Sequence, residues 1–551
     1  MRIIYGSDCC FFNAIHMKLF CLPVRLLVAT HFLISCSRTG SEPAPVNPPQ
    51  PPPVPVVSYN YKSQNAYSLN VVYFVPNDVV PPADYHRRLS EILLDAQSFI
   101  GKEMERNGYA GKTLGLMKDV DKKRIKLVVI KAGRGGSAYP YDGGANAVMQ
   151  EIAAYRQLNQ SEFHGDHYLV IMPATTYDPG GEPGGVPFYG LGKYCFALDY
   201  ADQDVRYLGS PGTLGTRATK WIGGMIHELG HGLNLPHNCQ KVSEESTLGM
   251  ALMWAGNSTW GNSKTFLTAA DCAVLNVNQV FSQENKSFYG EVKSSLQSIY
   301  ASYEAGKNSI VVKGRFSANT PVTDIIYFND PNVNNEGTGV NRDYNAVTWT
   351  SKPIGQDSFF IEMPVTDLKY RENHEYELKV KLAHTNGVIR ETIFSYRFAN
   401  GLPILDFSTR PEISKTGWSI TSFSSEEKLS ENGAALNLID GDPSTYWHSR
   451  WSSAVTSYPH EVVVSTGVDV TAKGISISQR QTLSRSVKDM DIFTSLDGVN
   501  FVPAISRQLA NTSGPQYLEF AQPVNLRFIK LVAKSSWDGE KFAALGEIGL
   551  F

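Results

Sequence analysis

The sequence predicts a multidomain protein in which an α+β domain precedes two β-sandwich domains. Three observations predict it. At 551 residues the chain is too long for one core and fits three or four domains. Between residues 68 and 233, strand-like and helix-like stretches alternate. From about residue 306 onwards, short alternating strands separated by turn residues take over. A hydrophobic content of 42% and a charged content of 19% are those of ordinary folded protein. The net charge of −3 argues against a general electrostatic grip on nucleic acid.

Residues 1–36 read as an export signal. From Met17 the chain runs "MKLFCLPVRLLVATHFLISC", with Lys18, Arg25, an apolar run and then Leu33-Ile34-Ser35-Cys36. The run is short for a bilayer span and suits a signal peptide. Its last four residues resemble a bacterial lipobox. That resemblance implies lipidation of Cys36 and attachment to a membrane of the bacterial cell envelope, facing the periplasm or the surface. An ordinary cleaved signal is the plainer alternative, and Met17 an alternative start. Residues 37–57 are a linker, in which "PAPVNPPQPPPVPVV" favours polyproline II and acts as a semi-rigid spacer. With Cys36 lipidated, Cys195, Cys239 and Cys272 remain, an odd set that allows one bridge at most.

Residues 58–304 are the α+β domain. "SLNVVYFV" (68–75) reads as a strand, and residues 84–106 as a helix with Leu89, Leu93, Ala96, Ile100 and Met104 on one face. "IKLVVIK" and "YLVIMP" are short buried strands flanking a helical stretch that carries Val148, Ile152 and Tyr155. The loop "DPGGEPGGVPFYG" lacks the Lys-Ser/Thr of a phosphate-binding loop and leads into the strand "CFALDY". A last helix is expected over 287–303. Residues 305–403, with strands such as "SIVVKGRF" and "YELKVKL", read as an Ig-like β-sandwich. It contains no cluster of catalytic residue types, so its expected role is that of a spacer.

The chemistry concentrates in "TRATKWIGGMIHELGHGLNLPH" (216–237). Ile222, Ile226, Leu229 and Leu233 recur at helical spacing. His227 and His231 then lie one turn apart on one face, so both imidazoles point at one ion. Glu228, rotated about 100° around the helix, reaches a water on that ion without being a ligand. His237 supplies a third nitrogen and leaves a fourth position open, as catalytic zinc sites require. Asn234 stands where the extended zinc-protease signature has glycine. A left-handed residue is wanted there, and asparagine is the non-glycine residue that adopts it most readily.

These residues resemble the metzincin superfamily of zinc endopeptidases, over about residues 58 to 300. The resemblance implies one catalytic Zn2+ on His227, His231 and His237, with Glu228 as general base for a zinc-bound water. It also implies a methionine-containing turn beneath the metal. "LGMALMWAGN" offers Met250 and Met253, and the turn residues that follow favour Met253. Ala255 occupies the position where some family members carry a tyrosine ligand. An edge strand above the cleft is implied as well, and "GGVPFYGLGKYCFALDY" is its counterpart.

In residues 404–551, "NGAALNLIDGDPSTYWHSRWSS", "DIFTSLDGVNF" and "RFIKLVAKSSWDGEKFAALGEIGLF" resemble the discoidin, or coagulation factor 5/8 type C, domain. The match runs over about 415 to 551. It implies a β-sandwich of jelly-roll type that binds glycans or membrane surfaces. It also implies a structural Ca2+ near Asp440, Asp442, Thr445 and Glu547, whose oxygens suit calcium. A metal-free Asx turn fits the same residues. His448, Arg450, Trp451, Arg480 and Trp537 are the candidate ligand contacts, and Trp447 is assigned to the core.

The expected protein is thus a zinc endopeptidase of the bacterial envelope that acts on protein or peptide substrate. Its terminal module engages a glycan or glycoprotein, a lipid tethers it to the membrane, and nucleic acid is no partner. The alternative is a glycan-binding adhesin lipoprotein whose zinc domain is inactive or structural.

Overall fold

The computed structural model describes residues 58–331, 333, 343–405 and 412–551. The expected signal, Cys36 and the proline-rich stretch lie outside the described residues.

The first domain is built on a five-stranded sheet. Its strands are β1 (Asn70–Val75), β2 (Val128–Lys131), β3 (Tyr168–Pro173), β4 (Gly190–Leu191) and β5 (Tyr194–Asp199), in the order β2-β1-β3-β5-β4. All pairs are parallel except β5 with β4, which is antiparallel and leaves β4 on the edge. β1 and β3 are buried on both faces, which is why they read as continuous apolar runs. One face packs on α1 (Tyr85–Arg106) and α3 (Thr213–Gly232), the other on α2 (Gly144–Leu158). The apolar stripe anticipated in α1 is buried throughout. A shorter helix, α4 (Ala269–Val277), is capped by Thr268 and Asp271 and closes the domain.

The helix expected over 287–303 does not form. Ser294–Glu304 is instead a strand, β6, paired antiparallel with β7 (Ser309–Ala318). Leu296, Ile299, Tyr300 and Tyr303 mimic a helical period, yet of these only Ile299 is fully buried. The turn between the strands carries Asn308 at φ 48°, and it directs the segment into the second domain. There β6, β7 and β10 (Ser358–Pro364) form one sheet. The facing sheet has the order β9-β8-β11-β12-β13, from β8 (Val322–Pro331), β9 (Val347–Ser351), β11 (Glu375–His384), β12 (Ile389–Ala399) and β13 (Leu402–Ile404).

The spacer expectation needs correcting too. Ile326, Phe328, Ala346 and Ala383 of the sandwich belong to the same buried cluster as Ile222, Ile226 and Leu229 of α3. Conversely, Cys239 lies in the core of the sandwich. The two domains share a continuous apolar interface.

The C-terminal unit is a seven-stranded sheet around its own core of Trp447, Val462, Ile477, Ile529 and Leu545. Its longest strands, His460–Gln479 and Gln516–Ala533, shift register between Ser465 and Val470 and again between Ala472 and Gly474. Such irregularities bend a strand and let the sheet wrap its core. It docks on the sandwich where Glu377 accepts hydrogen bonds from the Ser513 amide (2.7 Å), the Ser513 hydroxyl (2.7 Å) and the Gly514 amide (3.2 Å).

No disulfide joins Cys195, Cys239 and Cys272, all three buried thiols. Cys195 sits on β5, Cys272 on α4 and Cys239 in the sandwich core, so the bridge that the count permitted does not form. No helix among the described residues is long and apolar enough to cross a membrane.

Candidate active site

α3 ends in a turn that brings three histidines together. The Leu235 amide donates to the Gly230 carbonyl (3.0 Å) and the Asn234 amide to the His231 carbonyl (2.9 Å). This is the Schellman pattern, with Asn234 as its left-handed residue at φ 70°. The chain reverses there, and His237 returns to His227 and His231. Their candidate ligand atoms all lie within 4.8 Å of one another.

The hydrogen bonds fix which nitrogens face inwards. His227 Nδ1 lies 2.8 Å from the Leu252 carbonyl and His231 Nδ1 lies 2.9 Å from the Leu235 carbonyl. A carbonyl only accepts, so each Nδ1 carries the proton and each Nε2 presents a lone pair. His231 Nε2 and His237 Nε2 are 3.0 Å apart. Zinc–nitrogen bonds of 2.0–2.1 Å in tetrahedral geometry separate two nitrogens by about 3.3 Å. Burial lowers the pKa of His231, and burial with His231 as neighbour takes that of His227 down to about 4. Burial thus favours in both the neutral form that a ligand must have. The set fits a zinc ion.

Glu228 is half-buried beside the triad, and burial pushes its carboxyl up to about 7, against the pull of a hydrogen bond from the Gly190 amide. Gly190 opens the edge strand β4, and a Cβ on it would lie 2.3 Å from His231 Cβ. Only glycine lets this strand lie so close over the helix. On the opposite side Met253 is fully buried, and a Cβ on Gly230 would meet its sulfur at 2.4 Å. Met253 therefore lies directly against α3, whereas Met250 is only half-buried and accepts from the Ser258 hydroxyl.

The sandwich forms the other wall of the cleft. A cavity of about 700 Å³ is bounded by Gly190, His231 and His237 on one side and by Phe328, Lys381 and Glu391 on the other. Lys381 pairs with Glu391 at 2.8 Å and lies over the Phe328 ring at 4.1 Å. Tyr344 stacks on His237, ring centroids 3.7 Å apart and planes 18° from parallel. None of these sandwich residues stood out in the sequence, because no local motif links them to the histidines.

In the C-terminal unit the candidate ligand contacts divide. Trp451 Nε1 donates to Glu431 at 2.9 Å, Arg480 lies 3.5 Å from the same carboxylate, and His448 Nε2 lies 3.9 Å from it. Tyr446 joins them, donating to Glu431 at 2.7 Å and lying under the Arg480 guanidinium at 3.9 Å. Arg480 Nε is buried without a partner among the described residues, and Trp451 is 40% exposed. Arg450 and Trp537 bond elsewhere, to the Glu426 and Leu509 carbonyls. Trp447 is core, as expected, its indole donating to the Ser425 carbonyl.

Asp440, Asp442, Thr445 and Glu547 meet at one turn, linked by hydrogen bonds. Asp440 accepts from the Asp442 amide (2.9 Å) and the Thr445 hydroxyl (2.8 Å), and Asp442 from the Ser444 amide (3.0 Å). Those are Asx turns. Glu547 accepts from the Gly441 amide and pairs with the Lys415 ammonium at 2.6 Å. Lys415 thus places a positive charge beside these carboxylates. Among the described residues, His227, His231 and His237 form the one group of three or more His, Cys, Asp or Glu side chains at metal-ligand spacing.

Comparison with known proteins places the C-terminal unit. Residues 419–548 match the F5/8 type C domain family. This chain carries an F5/8 type C domain. A 133-residue stretch is 38% identical to a sialidase of Micromonospora viridifaciens; it amounts to 24% of this chain and 20% of that enzyme, so the chain spans a fifth of the length of this curated relative. A crystal structure of OgpA from Akkermansia muciniphila is 35% identical, with a TM-score of 0.57, over 62% of this chain and 96% of OgpA. A match that long must take in residues ahead of the F5/8 domain. A second OgpA structure, a catalytically inactive form in complex with an O-glycopeptide (glycodrosocin) substrate, is 34% identical, with a TM-score of 0.58, over 64% of this chain and 97% of OgpA. Within the F5/8 domain, sequence reading found three of the clustered side chains and missed Glu431 and Tyr446, which hold them together.

Proposed function

We propose that this chain is a zinc-dependent endopeptidase of metzincin type that cleaves glycosylated proteins or peptides, tethered by a lipid on Cys36 in the bacterial cell envelope. The observation that carries the reading is the triad itself. Three imidazoles converge, two of them with Nδ1 held by backbone carbonyls, and Glu228 stands alongside. OgpA's O-glycopeptide complex supports a glycosylated substrate.

A zinc ion on the triad supplies Lewis acidity at the scissile carbonyl. The protein's own residues do the rest. β4 offers an exposed strand edge for extended substrate to pair with. Glu228, next to His227 on α3, takes a proton from the attacking water and delivers it to the departing amine nitrogen. The F5/8 domain, through Trp451, Arg480 and His448 around Glu431, holds a carbohydrate and raises the local concentration of glycosylated substrate.

The test is Glu228→Ala in the full chain, assayed on O-glycopeptides with zinc content measured in parallel. The variant should keep one zinc per chain and lose about 10²–10⁴-fold in cleavage rate. Cleavage equal to wild type would sink the assignment, and zinc-loaded wild type without any peptidase activity would favour a binding protein.

A further inference from the structure

We propose that the sandwich domain completes the metal centre, with Tyr344 as the positioning residue for His237. The inference rests on the zinc reading above. His227 and His231 are fixed by their helix and by the Leu252 and Leu235 carbonyls. His237 lies beyond the helix, on a segment outside regular structure. The rotation of an imidazole about its last bond is soft, so a ring stacked on the third ligand adds to what holds its plane.

The sandwich supplies that support at three successive points. The Cys239 amide donates to the Ala346 carbonyl at 2.9 Å, and Cys239 aligns in parallel with Val347 at the start of β9. The Tyr344 ring then lies face to face with the His237 ring, 3.7 Å between centroids. A ring stacked at that distance blocks the imidazole from turning and keeps water off that face.

Tyr344 is held in its turn. The Ala346 amide donates to the Asp343 carbonyl at 2.9 Å. The Asp343 carboxylate pairs with Lys379 and lies 4.0 Å from Lys381, two lysines of β11 whose side chains are about one-tenth exposed. Lys379 also pairs with the fully buried Asp330 at 2.7 Å. The stacking residue thus sits on a buried ionic anchor in the second domain.

The experiment uses the full chain with Tyr344→Phe, Tyr344→Leu and Tyr344→Ala. Zinc affinity is read by chelator competition and the ligand field by the absorption spectrum of the cobalt-substituted protein. Tyr344→Phe should stay within about threefold of wild type, because the ring face is kept. Leu and Ala should weaken zinc by about ten- to a hundredfold, the usual effect of losing a group that orients a ligand, and should alter the cobalt spectrum. Should Ala fail to fold, Leu carries the test, since it fills the space without offering a ring face. Wild-type affinity and spectrum in the Leu variant overturn the proposal. So does a Phe variant as weak as Leu, which would make the hydroxyl the agent, or weakened affinity with an unchanged spectrum. Wild-type protein that takes up no zinc overturns the reading on which the proposal stands.

Discussion

Asn234 is where a single side chain decides whether the third ligand arrives. Its φ of 70° lies in the left-handed region, and its turn positions two ligands at once: His237 follows it, and the Leu235 carbonyl next to it accepts from His231 Nδ1. An ordinary L-residue is penalised there by roughly 1–2 kcal/mol. If that strain is relieved by opening the turn, zinc affinity falls by a factor of about 5–30. Asn234→Val, β-branched as well, should sit at or beyond the upper end. Asn234→Gly removes the steric penalty altogether, because glycine adopts the left-handed region without strain. Gly should therefore stay within a few-fold of wild type. Chelator competition on metal-free protein measures both. If Val binds zinc normally while Gly is weak, Asn234 acts through its side-chain amide, and the backbone argument is refuted.

Two further outcomes follow from packing and from charge. Gly230→Ala places a methyl 2.4 Å from the Met253 sulfur and should destabilise the protein by about 1–3 kcal/mol, seen as a lower denaturation midpoint; an unchanged midpoint would mean that Met253 is not packed against the helix. In the F5/8 domain, burial pushes the Glu427 carboxyl up, but hydrogen bonds from the Ser452 and Trp451 amides, the Ser452 hydroxyl and the Ser430 amide together outweigh it and hold the pKa at about 2, against the ordinary 4.5. A depressed folded pKa stabilises above the unfolded value, so this contribution should be whole above about pH 5 and fall away as pH drops towards 2; Glu427→Gln should flatten that part of the stability profile, and a Gln variant with the wild-type slope would exclude Glu427 as its source.

What was legible in the sequence was what local period and fixed spacing encode. Ile222, Ile226, Leu229 and Leu233 announced α3, and the placement of His227 and His231 followed from its pitch. The turn at Asn234 was legible for the same reason, since left-handed backbone selects few residue types. Illegible features depended on partners distant along the chain. Leu296, Ile299, Tyr300 and Tyr303 carry a helical spacing, and pairing with β7 overrides it. Trp451 and Arg480 advertised themselves by residue type, but Glu431, the carboxylate that unites them, looks like any surface acid until the fold is known. The Asp440 turn is ambiguous in sequence because an Asx turn and a cation site use the same oxygens, and Lys415, far upstream of Glu547, joins that cluster only in the fold.

The sandwich was the largest misjudgement, and its chemistry explains both the error and the role. A domain without catalytic residue types looks like a spacer, yet a cleft needs walls and a flexible ligand needs a support. β11 carries Glu377, Lys379 and Lys381 in one row of alternating positions. Glu377 receives the Ser513 and Gly514 amides of the F5/8 domain, Lys379 holds Asp330 and Asp343, and Lys381 reaches Glu391 in the cleft. Buried ion pairs of this kind add little net stability, because desolvation offsets their attraction. They are strict about geometry, however: an unpaired buried charge costs several kcal/mol, so each partner must stay in place. One strand therefore fixes the F5/8 domain at one end of the row and the cleft wall at the other. On the proposed function, substrate caught by the F5/8 domain would be presented to a cleft whose second wall belongs to the same sheet.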